Sequence, residues 1–466
     1  MPHVPPAPLP ADLPRHGIAP DQVQALLHDE QARYAARNPR SAALALHTGE
    51  HLLFGVPLHW MSDWGTPFAL HVAHAQGATL TDVDGHVLSD FCLGDTGAML
   101  GHAPPPVVAA LQRQAASGLT AMLPGETGSP VGHLLAERFG LPQWQFAMTA
   151  SDANRFMVRW LRAATGRRVL LVFHGCYHGT VDDVFVDLRD GQPVLRDSLL
   201  GQVQDLTQTT RVIEFNDLPA LERALAPGDV ACLLAEPVMT NIGMVLPEPG
   251  FWEAAQALLR KTQTPLVMDE THTISSGPGG YCRAQGLTPD ALVIGKPLGG
   301  GMPCAAYGFS AAWAARCEAA KRNAPPGHSG IGTTLTANLL AMAAMRATLE
   351  SLMTAEVFAP MLTRAEMLAQ GLRALFQRRA LPWCVTQVGA RAEFQFCPQA
   401  PRNGSEAAAA MDPNLEHALH LALLNRDVLI TPFHNMMLVS PETTDTQVRR
   451  LIDALDDVLN LLRPRH

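Results

Sequence analysis

The 466-residue sequence predicts an α/β fold: a large unit with a mainly parallel sheet wrapped by helices, plus a smaller α+β unit. Three observations carry this reading. Val169–Phe173 (VLLVF), Ala231–Ala235 (ACLLA), Pro265–Met268 (PLVM) and Ala291–Ile294 (ALVI) are apolar runs without polar alternation, as expected of strands covered on both faces. Helical patterns separate them: Ala153, Phe156, Met157, Trp160, Leu161 and Ala164 share one face, and Gly166 stops that run. The length, finally, is too great for one hydrophobic core.

In chain order, residues 1 to about 45 read as a loose arm with one helix around Gln22–Ala36. Gly77–Phe91 (GATLTDVDGHVLSDF) reads as a hairpin turning at Asp82–Gly85. Alternating helices and strands run from about Pro106 to Ala344. Strands are expected again at Cys384–Phe396 and Met436–Val439, and the Ala407–Ala410 run suits a loop or a helix start. A last amphipathic helix aligns Val448, Leu451, Ile452, Leu455, Val458 and Leu462. The implied division is an arm (1–45), a segment contributing to the small domain (46–105), a large domain (106–345) and a C-terminal small domain (346–466).

Composition narrows the function classes. A net charge of −9 without a basic stripe argues against a nucleic-acid partner. No apolar run is long enough to span a bilayer, so no membrane partner is expected. The Pro-rich N-terminus lacks a signal region, and the eight Cys form no CxxC pair, so reduced buried thiols in a cytoplasmic protein are expected. His71/His74 and His417/His420 form HxxH pairs, but 19 His make such coincidences ordinary, and no metal is expected.

Five strand-edge features carry chemistry. PLVMDETH (Pro265–His272) ends a strand in two carboxylates, at the carboxyl edge where open α/β sheets bind ligands; a structural Asp suits that place equally. ALVIGKPLGGG (Ala291–Gly301) puts Lys296 between a buried strand and a Gly run. Held against an apolar edge, such a lysine has its ammonium form disfavoured, as Schiff-base chemistry requires; a solvated loop lysine is the plain alternative. MTASDAN (Met148–Asn154) sets Thr149, Ala150 and Ser151 at a helix N-terminus, either a phosphate cradle or an ordinary N-cap by Ser151. HGCYHG (His174–Gly179) offers Tyr177 as a stacking ring beside His178, and Glu236 follows the ACLLA strand. All five suit a phosphorylated pyridine aldehyde.

Taken together these motifs resemble the class III (fold-type I) aminotransferases, in the branch containing glutamate-1-semialdehyde aminomutase. GATLTDVDGHVLSDF, LGHAPPPVVAAL, TGRR, YHG, EPVMTNIG, MDET, GKPLGGGMP, GTTLTANLLAMAA and TPFHNMMLVSP occur in the family's order, from about Gly77 to Pro441. The resemblance implies pyridoxal 5′-phosphate as cofactor, with Lys296 forming the internal aldimine and moving protons. It further implies Asp269 at the pyridinium nitrogen, Tyr177 on the ring with His178 beside it, Thr149-Ala150-Ser151 at the phosphate, and Glu236 near the phenolic oxygen. Thr271 stands where the family carries Val against the ring. Thr334 matches a Thr that reaches the phosphate of a neighbouring subunit, which implies a homodimer.

The aminomutase branch carries an N-terminal Arg for its substrate carboxylate. This chain has His59 and Trp60 there, leaving Arg391 as the candidate carboxylate fork. The expected activity is therefore ping-pong amino transfer from an amine or amino acid to a keto acid. An aminomutase, or a racemase using the same lysine, is the alternative.

Overall fold

Parallel strands that end at one edge set the geometry of this protein, whose computed structural model describes residues 16–462. The part of the arm expected over residues 1–15 lies outside the described residues. The main sheet runs in the order Gln143–Ala147, Ala305–Phe309, Ala291–Ile294, Leu266–Asp269, Val230–Ala235, Val169–Phe173, Thr210–Ile213. The last five are parallel to one another; the first two pair antiparallel at one side. All four apolar runs are interior strands, and Val230–Ala235, Leu266–Asp269 and Ala291–Ile294 are buried throughout.

Register then decides what meets. Met268 lies opposite Ala235, and Asp269 opposite Val293. Glu236, Asp269 and Lys296 therefore leave their strands side by side at the carboxyl edge. The helix Ala150–Thr165 begins near the same edge. Its N-cap is Thr149, whose hydroxyl oxygen accepts from the Asp152 backbone N–H at 3.1 Å. Ser151, the cap considered from sequence, lies inside the first turn, because the chain is already helical from Ala150. Gly166 ends the helix at φ 68°, a left-handed value that favours glycine.

The expected hairpin forms from Thr79–Asp82 and Val87–Asp90, flanked by Val72–Gln76. Val428–Leu429 joins Val87–Asp90 in parallel, bringing the two ends of the chain into one four-stranded sheet. Cys384–Val388, Arg391–Gln395 and Met436–Leu438 form a second, three-stranded sheet. Leu372, Phe376, Trp383, Phe394, Leu451 and Leu455 share a buried cluster between this sheet and the helices Ala355–Arg378 and Asp445–Leu461. Near the N-terminus the helix Pro20–Arg37 is followed by a second, Pro39–Thr48, and the alanine run lies in the helix Gly404–Ala409.

Gly389 turns the Cys384–Gln395 hairpin at φ 55°, and a Cβ there would lie 2.4 Å from Ser276 Cα and 2.6 Å from the Ser275 carbonyl oxygen. Both neighbours are backbone and cannot swing aside. Gly389→Ala should therefore lower the unfolding free energy by more than about 1 kcal/mol. The measurement is a urea titration, in which the midpoint falls and the slope is unchanged.

Candidate active site

The carboxyl edge opens into a cavity of about 260 Å³ whose wall includes Thr149, Ser151, Tyr177, Glu236, Asp269 and Lys296. Six residues singled out from five stretches of sequence thus face one space. Ala150 and Thr271 line it as well. Lys296 sits at φ 43°, a left-handed conformation that costs a side-chain-bearing residue energy. Its Nζ is 2.5 Å from Asp95 Oδ2 and 2.5 Å from His272 Nε2. The lysine is thus pinned at both ends: its backbone by the turn, its ammonium by a carboxylate and an imidazole.

Asp269 is buried and fully hydrogen-bonded. Its Oδ2 accepts from Asn154 Nδ2 at 2.8 Å and pairs with His178 Nδ1 at 3.0 Å. Its Oδ1 accepts from the Thr271 backbone N–H at 3.0 Å and from the Thr271 hydroxyl at 2.6 Å. Burial opposes ionisation, but His178 and these hydrogen bonds outweigh it, and the carboxyl is held below its usual range. The imidazole of His178 answers in kind. Burial disfavours its charge, but the Asp269 hydrogen bond and the neighbouring Cys176 push it up to about 10. Thr271 thereby has a definite place: its hydroxyl completes the carboxylate's shell.

The Ala150–Thr165 helix, which supplies Asn154 to Asp269, presents its N-terminus to the same cavity. The Ser151 hydroxyl oxygen accepts from the Thr180 backbone N–H at 3.0 Å. Gly179, at φ 79°, presses against it so closely that a Cβ would lie 2.1 Å from Ser151 Oγ and 2.7 Å from Ser151 Cα. The first turn of the helix is clamped by the loop that carries Tyr177 and His178. Tyr177 remains 40% exposed along the cavity, as a ring must to cover a ligand. Glu236 is buried; burial raises its pKa against the opposing effects of His178, Thr240 and Asn241. Its oxygens accept from the Thr240 hydroxyl and, at 3.0 Å, from Asn241 Nδ2.

Other expected site residues lie apart from this wall. His59 and Trp60 occupy an exposed turn, where Trp60 stacks on Trp64 with centroids 5.8 Å apart. Thr334 is on an exposed loop. Arg391 is completely buried and does not line the cavity; it donates to Thr96 Oγ1 at 2.5 Å, and Nη1 lies 2.7 Å from Met436 Sδ. The sequence reading passed over Asp95, Asn154, Thr240 and His272. His272 stood inside the quoted PLVMDETH, whereas Asp95, in the loop after the hairpin, carried no periodic or glycine-rich signal.

No group of three or more His, Cys, Asp or Glu among the described residues is arranged to hold a metal ion. No described helix is long and apolar enough to cross a membrane. The eight cysteines are unpaired by disulfides.

The family model for class-III aminotransferases matches residues 60–459. A glutamate-1-semialdehyde 2,1-aminomutase of Roseiflexus castenholzii is 33% identical over 399 residues, covering 84% of this chain and 90% of the relative. The crystal structure of a glutamate-1-semialdehyde-aminomutase from Pseudomonas aeruginosa PAO1 has a TM-score of 0.94 at 46% identity, covering 96% of this chain and 100% of that one. A lysine-to-alanine variant of it is known in complex with PMP. A β-phenylalanine aminotransferase from Variovorax paradoxus has a TM-score of 0.83 at 26% identity, covering 94% of this chain and 97% of that one.

The His178–Asp269 pair makes stability depend on pH. The folded imidazole holds its proton up to about 10, against 6.5 for an ordinary histidine. Its stabilisation is complete below the lower value and is lost as the pH rises through the higher one. The unfolding free energy of the cofactor-free protein should fall across that window, and His178→Gln should flatten the fall. Urea titrations of both proteins at a series of pH values measure it.

Proposed function

The chain belongs to the class-III aminotransferases, a pyridoxal 5′-phosphate-dependent enzyme family, and on that premise we propose that it works as an aminomutase, moving an amino group within one small amino-carbonyl substrate. The observation that carries this reading is the 46%-identical aminomutase structure, which matches this chain over 96% of its length with a TM-score of 0.94. The Roseiflexus relative, with the same activity in its name, supports it. Glutamate-1-semialdehyde is the first substrate to try.

The residues present fit the cofactor. The clamped N-terminus at Thr149–Ser151 offers free N–H groups and hydroxyls to a phosphate, helped by the positive end of the helix dipole. In the same cavity, the ionised Asp269 suits a protonated ring nitrogen. When bound, the cofactor supplies an aldehyde for the substrate amine and a ring that draws electrons from the neighbouring carbon.

The chain's own groups then have separate tasks. Lys296 Nζ would carry the cofactor covalently and, once displaced by substrate, move a proton beside it. Asp269, locked by Asn154, His178 and Thr271, would keep the ring nitrogen's proton in place. Tyr177 would cover one ring face, with His178 behind it orienting Asp269. Glu236, held by Thr240 and Asn241, would face the phenolic oxygen.

Transfer from an amine donor to a separate keto acid is the second reading, favoured by the 26%-identical β-phenylalanine aminotransferase structure, which matches 94% of this chain with a TM-score of 0.83. Among the described residues, no Arg or Lys besides Lys296 lines the cavity to clamp the carboxylate of either substrate. His59, Trp60 and Arg391 enter such a pocket only if a partner chain or a movement brings them there. We also propose a homodimer in which Thr334 reaches the partner's phosphate site. Exposed Leu53, Phe54, Met122 and Leu123 support association.

One experiment separates the two readings. An aminomutase converts glutamate-1-semialdehyde to 5-aminolevulinate with no second substrate. Turnover that requires an added keto acid, with donor alone bleaching the visible band of the lysine-bound cofactor, would establish transamination instead. In either case Lys296→Ala should lose that band and lower turnover by several orders of magnitude, measured in single-turnover assays.

A further inference from the structure

Lys296 begins a line of hydrogen bonds. His272 Nε2 is 2.5 Å from Nζ, and His272 Nδ1 is 2.7 Å from Thr240 Oγ1. Thr240 in turn donates to Glu236 Oε2. The donor inventory fixes the directions. An ammonium only donates, so Nε2 accepts; the other ring nitrogen then carries the N–H and donates to Thr240, whose one proton goes to the carboxylate. Thr240, His272 and Glu236 are 0%, 4% and 5% exposed, so water does not compete for the bonds beyond Nζ.

Resting on the reading of Lys296 as the cofactor-bearing lysine, we propose that His272 is its proton partner. The imidazole takes a proton from Nζ when the lysine must be a free amine, and returns it when the lysine must act as an acid. In the forward step an Nζ–H bond breaks, its electron pair stays on Nζ, and the Nε2 lone pair forms the new N–H bond. The imidazolium so formed lies 3.5 Å from Asp95 Oδ1, a buried oxygen with no hydrogen-bond partner of its own among the described residues. Thr240 and Glu236 hold the ring in the tautomer that leaves Nε2 free. No oxidant, reductant or further reactant is needed.

The charged groups facing His272 are Lys296, Asp95 and Arg391, with Glu236 behind Thr240. While Lys296 is charged, burial first and that charge second hold the imidazole neutral, with a pKa lowered to about 3. Once Nζ gives up its proton, the repulsion disappears and the attraction of Asp95 remains. The base strengthens in the direction the transfer requires. A histidine that merely props the lysine would leave Nζ to exchange its proton with solvent.

Two measurements test this. In the first, cofactor-free protein captures pyridoxal 5′-phosphate in stopped flow, read by the visible band across a pH series. The parent's rate should vary little with pH. His272→Gln keeps a hydrogen-bonding amide but cannot take a proton. Its rate near neutrality should fall roughly 10²-fold and rise about tenfold per pH unit, as bulk solvent must remove the proton. A His272→Gln rate and profile equal to the parent's would overturn the proposal. If Lys296→Ala formed the same band, the reading of Lys296 itself would be wrong, which is a separate failure.

The second measurement does not depend on the glutamine variant folding. Nitrogen-15 histidine spectra of cofactor-free protein should show His272 as the neutral Nδ1–H tautomer in the parent. In Lys296→Met, which removes the positive charge, the same ring should titrate at a higher pH than in the parent. A titration that does not move upward in Lys296→Met overturns the proposal.

Discussion

Parallel strands deposit their carboxyl ends on one edge of a sheet, and that directional constraint governs the rest of this molecule. Val230–Ala235, Leu266–Asp269 and Ala291–Ile294 are neighbours, each buried along its length. Whatever residue follows each strand is therefore placed about one strand spacing (~4.8 Å) from the next, without any side chain choosing its neighbours. Glu236, Asp269 with His272, and Lys296 are those residues. The helices that cover both faces exclude water from the floor of the site, and this strengthens every electrostatic contact made there.

Such an edge collects charge in a dry place, and the structure answers each charge locally. Asp269 has His178, Asn154 and Thr271. Glu270, fully buried, accepts the Tyr281 and Cys282 backbone N–H groups at 2.5 and 2.8 Å and so serves the turn that follows. Lys296 has Asp95 and His272. An isolated buried charge costs several kcal/mol, so removing one partner of any pair exposes the other to that cost. Hence Asp269 cannot be understood without His178, nor Lys296 without Asp95.

What the sequence revealed follows from the same physics. Unbroken apolar runs such as ACLLA and ALVI identify doubly covered strands, and the residue after each run is then a candidate for the edge. That logic reached Glu236, Asp269 and Lys296. It did not reach Ala305–Phe309 (AAYGF), an interior strand whose small residues give no β-branched signal, nor Gln143–Ala147 (QWQFA), whose polar positions reflect its place at the sheet's edge. Asp95 escaped because its position depends on a long-range approach, 201 residues along the chain from Lys296. Arg391 marks the opposite limit. In VGARAEF it reads as a carboxylate fork, and in the structure its whole side chain is enclosed and donates to Thr96. Burial of a long cation is a tertiary fact that spacing does not encode.

The two ends of the cavity are also mechanically one unit. A Cβ on Gly295 would lie 2.9 Å from Ala150 Cβ, so the residue before the lysine touches the residue that opens the helix. The same helix turn is clamped from the other side by Gly179 against Ser151. Lys296 is held at φ 43° between these packed points, and such strain persists only where the surroundings over-determine it. Its Nζ therefore has a fixed origin relative to the Thr149–Ser151 turn. A phosphate seated on that turn and an aldehyde presented to that lysine would be spaced by backbone contact rather than by flexible side chains. The site depends on close packing at two glycines as much as on the lysine itself.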